Sequence, residues 1–242
     1  MKLFLPLLLF FAFITCKKEE PIIPDITTGL VMNIPLDGNA YDSVNAISGT
    51  MSKVNPYSNR HGEANKSVIF NRNDSSIIDF GDLDEASFPT NYFTICCWIN
   101  IPDTLAPMTV LSKRGVIGPW EYSLDNHFNH AVFNLDNWVQ DGSTTVYGID
   151  PLKASAALVL NTWQHLAYVA DGVSLRVYVN GNSQAGEDTY KAGFFLQNTS
   201  AHFIIGNGGG YGKNYYFNGG IDDIRIYNYP LEEATVQYLA GL

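Results

Sequence analysis

The sequence predicts an all-β domain built from antiparallel strands. Aromatic residues make up 13% of the chain, which also contains 21 glycines, and its helix-like patterns are few and short. Apolar residues instead alternate with a period of two over residues 164–181 and again over residues 217–228, as expected for strands with one buried face. A chain of 242 residues with this composition is typical of one domain with a substantial core.

The first of these stretches is predicted to be a meander. Apolar residues alternate over 166–170 and over 175–179, and Asp171-Gly172 separates the two runs. Asn180-Gly181 follows the second run. Both dipeptides are typical of tight hairpin turns, so successive strands are expected to pair with their neighbours.

The second stretch is predicted to be a strand followed by a short helix. In a regular strand Asp222 shares a face with Ile224 and Ile226, and that face is expected to point inward. A buried carboxylate needs a partner, and calcium, an arginine or backbone donors are the alternatives. Pro230 is predicted to open the helix.

Six segments in a fixed order resemble the laminin-G-like jelly rolls of the concanavalin A-like lectin and glucanase superfamily, over residues 29–239. These segments are Leu36–Asp42, Phe93–Ile99, Leu111–Lys113, Trp163–Gly181, Ile204–Asn207 and Phe217–Asn228. The resemblance implies a two-sheet antiparallel jelly-roll sandwich over residues 29–242. It does not imply one activity, because such folds serve as lectins, adhesion modules, hydrolases and spacers.

Residues 1–15 have the features of an export signal. Lys2 precedes an apolar run from Leu3 to Ile14 that is too short to span a bilayer as a helix. Cys16 follows at once, and this arrangement resembles bacterial lipoprotein signals, in which the chain is cut before the cysteine and acylated there. Ordinary secretion with cleavage nearby is the alternative.

Residues 16–28 are predicted to be the lipidated cysteine and a tether, because they are charged, contain two prolines and show no periodicity. The sequence therefore predicts a membrane-anchored protein of the bacterial cell envelope, an outer-membrane lipoprotein. Its charged start, residues 17–20, resembles that of lipoproteins sent to the cell surface, so surface exposure is also expected.

Charge excludes one class of partner. The formal net charge is −10, and removal of residues 1–15 deletes only Lys2, which leaves −11. Such an acidic chain is not expected to bind nucleic acid.

The remaining cysteines, Cys96 and Cys97, are adjacent and alternate sides of a strand, so we expect reduced, buried thiols rather than a strained disulfide.

The sequence predicts a protein that is not an enzyme. Retaining glucanases on the resembled fold need two carboxylates about 5 Å apart on one strand face. Glu121 and Asp125 are the nearest approach, and their spacing fits an inverting pair better than a retaining one. Motifs for a serine nucleophile, a zinc site and a phosphate loop are missing from the sequence. A divergent glycoside hydrolase stays the alternative.

Calcium is the predicted cofactor, in a structural role. The segment 37–42 is an oxygen-rich turn, and the resemblance implies that such early loops pack beside the final strand. The candidate metal ligands are Asp37, Asp42, Asp222 and Asp223.

A glycan site needs aromatic platforms and polar groups, because sugar rings stack through apolar faces and form hydrogen bonds at their edges. Five aromatic residues in loop-like stretches are the candidates: Trp120, Trp138, Tyr211, Tyr215 and Tyr216. Trp98 and Trp163 lie in strand motifs and are expected to be structural. The predicted function is a non-catalytic recognition module for glycan or protein, with a structural adhesin or spacer as a further alternative.

Overall fold

The structure is a computed structural model that describes residues 23–115, 120–127, 130–138, 145–147, 152–154, 156–184, 188–189, 196–208 and 215–242. The export signal, Cys16 and the tether up to residue 22 lie outside these ranges. Tyr211 also lies outside them, as do the side chains of Trp120 and Trp138.

Strands are the main regular elements of the described chain, and one α-helix follows them. In chain order the elements are β1 (Leu30–Ile34), β2 (Tyr41–Asp42), β3 (Ile47–Ser48), β4 (Thr50–Ser52), β5 (Asn55–Tyr57), β6 (Ser67–Phe70), β7 (Ile77–Asp82), β8 (Tyr92–Asn100), β9 (Met108–Arg114), β10 (Trp120–His127), β11 (His130–Trp138), β12 (Thr145–Tyr147), β13 (Leu152–Lys153), β14 (Gln164–Asp171), β15 (Ser174–Val179), β16 (Asn182–Ser183), β17 (Asp188–Thr189), β18 (His202–Ile205), β19 (Gly219–Tyr227) and α1 (Glu233–Leu239).

The strands form two antiparallel sheets, which confirms the predicted fold class. The nine-stranded sheet has the order β16-β15-β14-β8-β19-β6-β5, with β1 beside β19 and β17 beside β15. The eight-stranded sheet has the order β12-β11-β10-β9-β18-β7-β4, with β13 beside β11. Strands β2 and β3 pair as a separate hairpin.

The main apolar core lies between the two sheets. The predicted meander is confirmed, because β14 pairs with β15 and β15 with β16, and its alternating residues over 166–170 and 175–179 enter the core. Cys97 enters the core from β8, whereas Cys96 belongs to a second apolar cluster on the other face of that sheet. Both thiols are free and buried, and burial raises the pKa of Cys96 to about 12.

Strand β19 differs from its predicted pattern. Ile221, Ile224 and Ile226 all enter the core, whereas Asp222 lies directly opposite Trp98 of β8 on the outer face of the nine-stranded sheet. The reason is a β-bulge between Asp222 and Arg225, which adds one residue and reverses the alternation. The prediction that Asp222 points inward with Ile224 and Ile226 is therefore wrong.

Helix α1 covers part of the outer face of the nine-stranded sheet. Its Val236 and Leu239 pack on Ala167, Val169 and Tyr178 in the second apolar cluster. Among the described residues, no helix has the length and apolar character needed to cross a membrane.

The first described residues also contact the domain. Ile26 packs against the second apolar cluster, and its carbonyl accepts a hydrogen bond from Tyr227 Oη at 3.1 Å. The domain boundary at residue 29 stays a prediction, but packing begins at least three residues before it.

Candidate functional site

Polar side chains cluster on the outer face of the eight-stranded sheet, around Asp125. Thr109 Oγ1 donates to Asp125 Oδ1 at 2.6 Å, and Ser123 Oγ donates to Asp125 Oδ2 at 2.9 Å. Asn134 Nδ2 donates to the same Oδ2 atom, and Arg114 Nη1 donates to Ser123 Oγ at 3.2 Å. Burial raises the pKa of Asp125, while the hydrogen bonds from Thr109 and Ser123 oppose that shift.

This polar cluster supports a glycine-rich loop. Ser112 Oγ donates to the carbonyl of Asn207 at 2.7 Å, and the amide of Phe217 donates to the carbonyl of Gly206 at 2.9 Å, which closes the base of the loop. Both oxygens of Asp125 already accept hydrogen bonds from the protein. The hydrogen bonds of the cluster hold neighbouring strands of the sheet together, beside the base of this loop.

Four of the five aromatic residues that the sequence proposed for ligand binding are described, and they lie in two separate places. Trp120 pairs with Arg114 at one end of β9 and β10, and Trp138 ends the neighbouring strand β11 at that same end. Tyr215 and Tyr216 follow the glycine-rich loop, which starts beside Val110 near the other end of β9 and leaves both tyrosines half-buried. Tyr211 lies outside the described residues.

Glu121 and Asp125, the nearest approach to a catalytic pair, have separate surroundings. Glu121 Oε1 accepts hydrogen bonds from Ser87 Oγ, from the Thr199 amide and from Thr199 Oγ1. Lys113 Nζ lies 3.4 Å from the same atom, and both side chains are fully buried. Burial raises the pKa of Glu121, while the charge of Lys113 opposes the shift. In the described part of the chain, no side chain bonds to both carboxylates.

The four aspartates proposed as calcium ligands have other partners. Asp37 Oδ2 lies 3.0 Å from Lys66 Nζ. Asp42 is buried and accepts hydrogen bonds from the amides of Asn33 and Val44. Asp222 and Asp223 both bind Arg60. Within the described ranges no group of three or more acidic, histidine or cysteine residues is placed to hold a metal ion, so these aspartates do not fit a calcium site. Calcium itself stays an untested prediction.

A surface pocket lies on the outer face of the nine-stranded sheet, beyond the end of α1. Its volume is about 460 Å³, within the usual range for small-molecule sites. We call it the indole pocket, because two tryptophans form much of its wall. Its lining consists of Arg60, His61, Trp98, Asn161, Thr162, Trp163 and residues 240–242.

Adjacent strands position the floor of this pocket. Trp98 of β8 lies between Asp222 of β19 and His165 of β14 in register. Trp98 is only 9% exposed, whereas Trp163 is half-buried and offers the more accessible indole. The edge of the Trp163 ring lies against Gly220, where an added Cβ would stand 2.7 Å from the ring. A glycine is thus required for the indole to sit at this depth.

Arg60 is fixed above Trp98. Its guanidinium carbon lies 4.8 Å from the centre of the Trp98 ring, a cation–π distance. Its Nη1 contacts Asp222 Oδ2 and its Nη2 contacts Asp223 Oδ2, each at 2.9 Å. Asp223 Oδ1 also accepts from Arg225 Nη2 at 3.3 Å. Two cations and two carboxylates therefore lie together beside the pocket.

Burial governs ionisation around this cluster. Burial and the neighbouring Asp223 carboxylate raise the pKa of Asp222 to about 7, although Arg60 opposes the shift. Burial, together with the charges of Arg225 and Arg60, lowers the pKa of His165 to about 3, so its ring is neutral at physiological pH. The described residues supply no hydrogen-bond partner for three buried nitrogens here, Arg60 Nε, Trp98 Nε1 and His165 Nδ1.

The sequence prediction missed this pocket by treating Trp98 and Trp163 as structural. One signal was available: Phe93, Ile95, Cys97 and Ile99 define the inner face of β8, so Trp98 had to lie on the outer face. A large aromatic residue on an outer face requires either a covering element or a ligand. No sequence pattern connects it with Arg60, which is far away along the chain.

A family model described as the concanavalin A-like lectin/glucanases superfamily matches residues 74–237, which is more than half of the chain. No curated protein matches the sequence.

Several solved structures share the fold at low sequence identity. Domain 4 of AbnA, a GH43 extracellular arabinanase from Geobacillus stearothermophilus in complex with arabinotriose, is 19% identical with a TM-score of 0.59, over 87% of this chain and 98% of that one. The binding domain of Paraclostridial Mosquitocidal Protein 1 is 16% identical with a TM-score of 0.68, over 88% and 52%. Trypanosoma rangeli sialidase in complex with sialic acid is 16% identical with a TM-score of 0.62, over 91% and 35%.

Proposed function

The chain belongs to the laminin-G-like family of the concanavalin A-like lectin/glucanases superfamily, and on that premise we propose that it is a non-catalytic recognition module for glycans. The observation that carries the proposal is the indole pocket, in which two tryptophans and a fixed arginine surround about 460 Å³ of accessible space. We also propose that a lipid on Cys16 holds the module at the bacterial cell envelope.

The pocket has the two kinds of surface that a sugar requires. A sugar ring has an apolar face, which stacks on an indole, and a rim of hydroxyl groups, which need hydrogen-bond partners. Trp163 supplies the accessible indole, and Asn161 and Thr162 supply exposed polar groups beside it. Trp98 Nε1 adds a buried donor with no partner in the described chain, and such a donor favours a ligand oxygen nearby.

Two of the structural neighbours were solved with sugars, arabinotriose in one and sialic acid in the other. Below 20% identity this likeness shows the fold alone, and this chain covers only 35% of the sialidase chain, so the glycan class of the ligand stays our proposal. The non-catalytic character of the proposal rests on the separate surroundings of Glu121 and Asp125, because neither carboxylate lines the pocket. A protein ligand, an adhesin or spacer role, and a divergent hydrolase are the alternatives.

Five aromatic residues stay a second proposal for ligand contact: Trp120, Trp138, Tyr211, Tyr215 and Tyr216. Trp120 and Trp138 lie at one end of the eight-stranded sheet and would form the second contact region, whereas Tyr215 and Tyr216 follow a loop near the opposite end of β9.

A glycan array probed with the detergent-solubilised protein tests the proposal, first with calcium and then with chelator. We expect selective binding to at least one glycan, and we expect Trp163→Ala to lose at least tenfold in affinity because the accessible indole is removed. Tyr41→Ala is the matched control, since Tyr41 is an exposed aromatic outside the pocket. Trp120→Ala and Trp138→Ala report on the second region.

Three results would redirect the proposal. Binding that is lost in Trp120→Ala and kept in Trp163→Ala would move the site to the other sheet. An array with no binding by folded protein would favour protein adhesion or a spacer. Turnover of a glycan that disappears in Glu121→Gln or Asp125→Asn would establish the hydrolase.

A further inference from the structure

We infer that the indole pocket selects uncharged sugar rings over acidic ones, and that Asp223 is the residue that sets this preference. The inference rests on the proposed function, because it concerns the ligand class of the same pocket. Four observations carry it: the hydrogen bonds of Arg60, the local charge balance, the neutral side chains in the lining and the net charge of the chain.

Arg60 is not available to hold an acidic ligand. An arginine recognises a carboxylate through paired N–H groups of its planar fork. Here Nη1 binds Asp222 and Nη2 binds Asp223, each at 2.9 Å, and the remaining Nε is buried. A carboxylate on the ligand would have to displace one of these aspartates. Arg60 therefore acts as a positioning residue that stacks on Trp98 and shapes the pocket wall.

The charges beside the pocket balance. Asp222 and Asp223 are opposed by Arg60 and Arg225, which contact them directly. The next ion pair, between Asp37 and Lys66, is balanced as well. An acidic ligand would approach two fixed carboxylates without any surplus cation, in a protein whose net charge is already −10. A cationic ligand finds no unpaired carboxylate in this cluster either, because Asp222 and Asp223 each have a guanidinium partner.

Beside His61 and residues 240–242, the groups that remain for the ligand are neutral side chains. Trp163 offers its indole, Asn161 and Thr162 offer amide and hydroxyl groups, and Trp98 Nε1 is a neutral donor. These groups match an apolar ring face with hydroxyls at its edge, and a neutral ring meets them at no electrostatic cost.

A single substitution at Asp223 changes the charge balance beside the pocket. Its φ is +50°, in the left-handed region that asparagine also adopts readily. Asp223→Asn keeps one side-chain oxygen for Arg60, loses the second acceptor that Arg225 uses and removes one negative charge, which leaves a surplus positive charge beside the pocket. Glu85→Gln makes the same change of net charge at an exposed residue that does not line the pocket, and it is the matched control.

The experiment titrates the detergent-solubilised protein with cellotriose, xylotriose and mannotriose as neutral probes and with trigalacturonate as the acidic probe. It is done at pH 8, above the pKa of Asp222 of about 7, so that the Asp222 carboxylate is mainly charged. Calorimetry measures affinity. The four indole N–H resonances in an NMR spectrum, assigned with Trp163→Phe, report where each probe binds.

We expect at least one neutral probe to shift the Trp163 resonance, and trigalacturonate to bind at least tenfold more weakly. Asp223→Asn should move the ratio of acidic to neutral affinity at least fivefold towards the acidic probe, while Glu85→Gln leaves it unchanged. Equal binding of trigalacturonate by the wild type, or an unchanged ratio in Asp223→Asn, overturns the inference and leaves the proposed function standing. If no trisaccharide shifts the Trp163 resonance, the proposed glycan function of the pocket fails, and the inference fails with it.

Discussion

At the scale of single residues, Asp222 lies in surroundings that disfavour the charged form of its carboxyl group. Its pKa of about 7 lies well above the ordinary value of 3.8, because burial and Asp223 outweigh the attraction of Arg60. The folded state therefore binds the proton more tightly than the unfolded chain does. The stability gained from that proton is complete below about pH 4 and is lost as the pH rises to about 7.

The first prediction follows from this pH dependence. Asp222→Asn cannot titrate, so it should gain stability relative to the wild type as the pH rises from 4 to 8, by on the order of 2–4 kcal/mol. Urea unfolding of both proteins at several pH values measures the difference. His165, whose pKa is lowered, titrates in both proteins and cancels in the comparison. Parallel stability curves for the two proteins would show that the charge of Asp222 is fully compensated by Arg60.

At the scale of elements, the bulge in β19 places both aspartates beside Arg60. Asp223 takes the left-handed backbone conformation at φ +50°, and the extra residue turns Asp222 to the outer face. A β-branched residue is strained in that conformation, whereas asparagine and glycine tolerate it.

The second prediction therefore compares two substitutions at one position. Asp223→Val should unfold more easily than Asp223→Asn by about 1–2 kcal/mol, because only valine opposes the left-handed conformation. Denaturant unfolding at pH 8 measures both, and Asp223→Gly serves as the control that keeps the backbone but loses the contact with Arg60. Equal stability of the valine and asparagine variants would mean that the bulge can relax at no cost.

Strand β19 also shows why the alternation of apolar residues predicted the buried faces of some strands correctly and that of one strand wrongly. Strands β8 and β14 are regular, so a period of two placed Cys97 and Leu166 in the core correctly. In β19 the isoleucines are spaced by three and then by two, and the spacing of three between Ile221 and Ile224 was the available sign of a bulge. The regular-strand assumption hid that sign, since it assigned Ile221 and Ile224 to opposite faces.

At the scale of the whole molecule, the site depends on contacts between distant segments, which a single sequence does not show. The motifs that carry the fold are local repeats of turns and alternating strands, so the sandwich could be predicted from them. The pocket instead joins the loop at Arg60, the middle of β8, the start of β14 and the end of α1. In the sequence, the aromatic residues of the loops were the candidates for ligand binding. Trp98 and Trp163 line the pocket only because the sheet packs them beside distant segments.

The third prediction concerns calcium and the same long-range contacts. Because Asp222 and Asp223 pair with Arg60 and Asp37 pairs with Lys66, we expect the Tm to change by less than about 1 °C when chelator replaces calcium. Differential scanning calorimetry at fixed ionic strength measures this change, with magnesium as the control for general salt effects. A rise of several degrees with calcium alone would place a structural ion elsewhere in the protein and support the original calcium prediction.

The fourth prediction concerns the anchor. Packing begins at Ile26, which lies against the second apolar cluster together with α1. The predicted tether would then include residues 17–25, and nine residues reach at most about 32 Å when fully extended. Lipid on Cys16 would hold the domain close to the bilayer, so Cys16→Ser should move the protein from the membrane fraction to the soluble fraction. Fractionation with labelled palmitate measures this, and glycan binding by the released protein should be unchanged because the substitution alters none of the described lining residues of the pocket. Retention of Cys16→Ser at the membrane, with no lipid on the wild type, would mean that a protein or glycan partner holds the domain there.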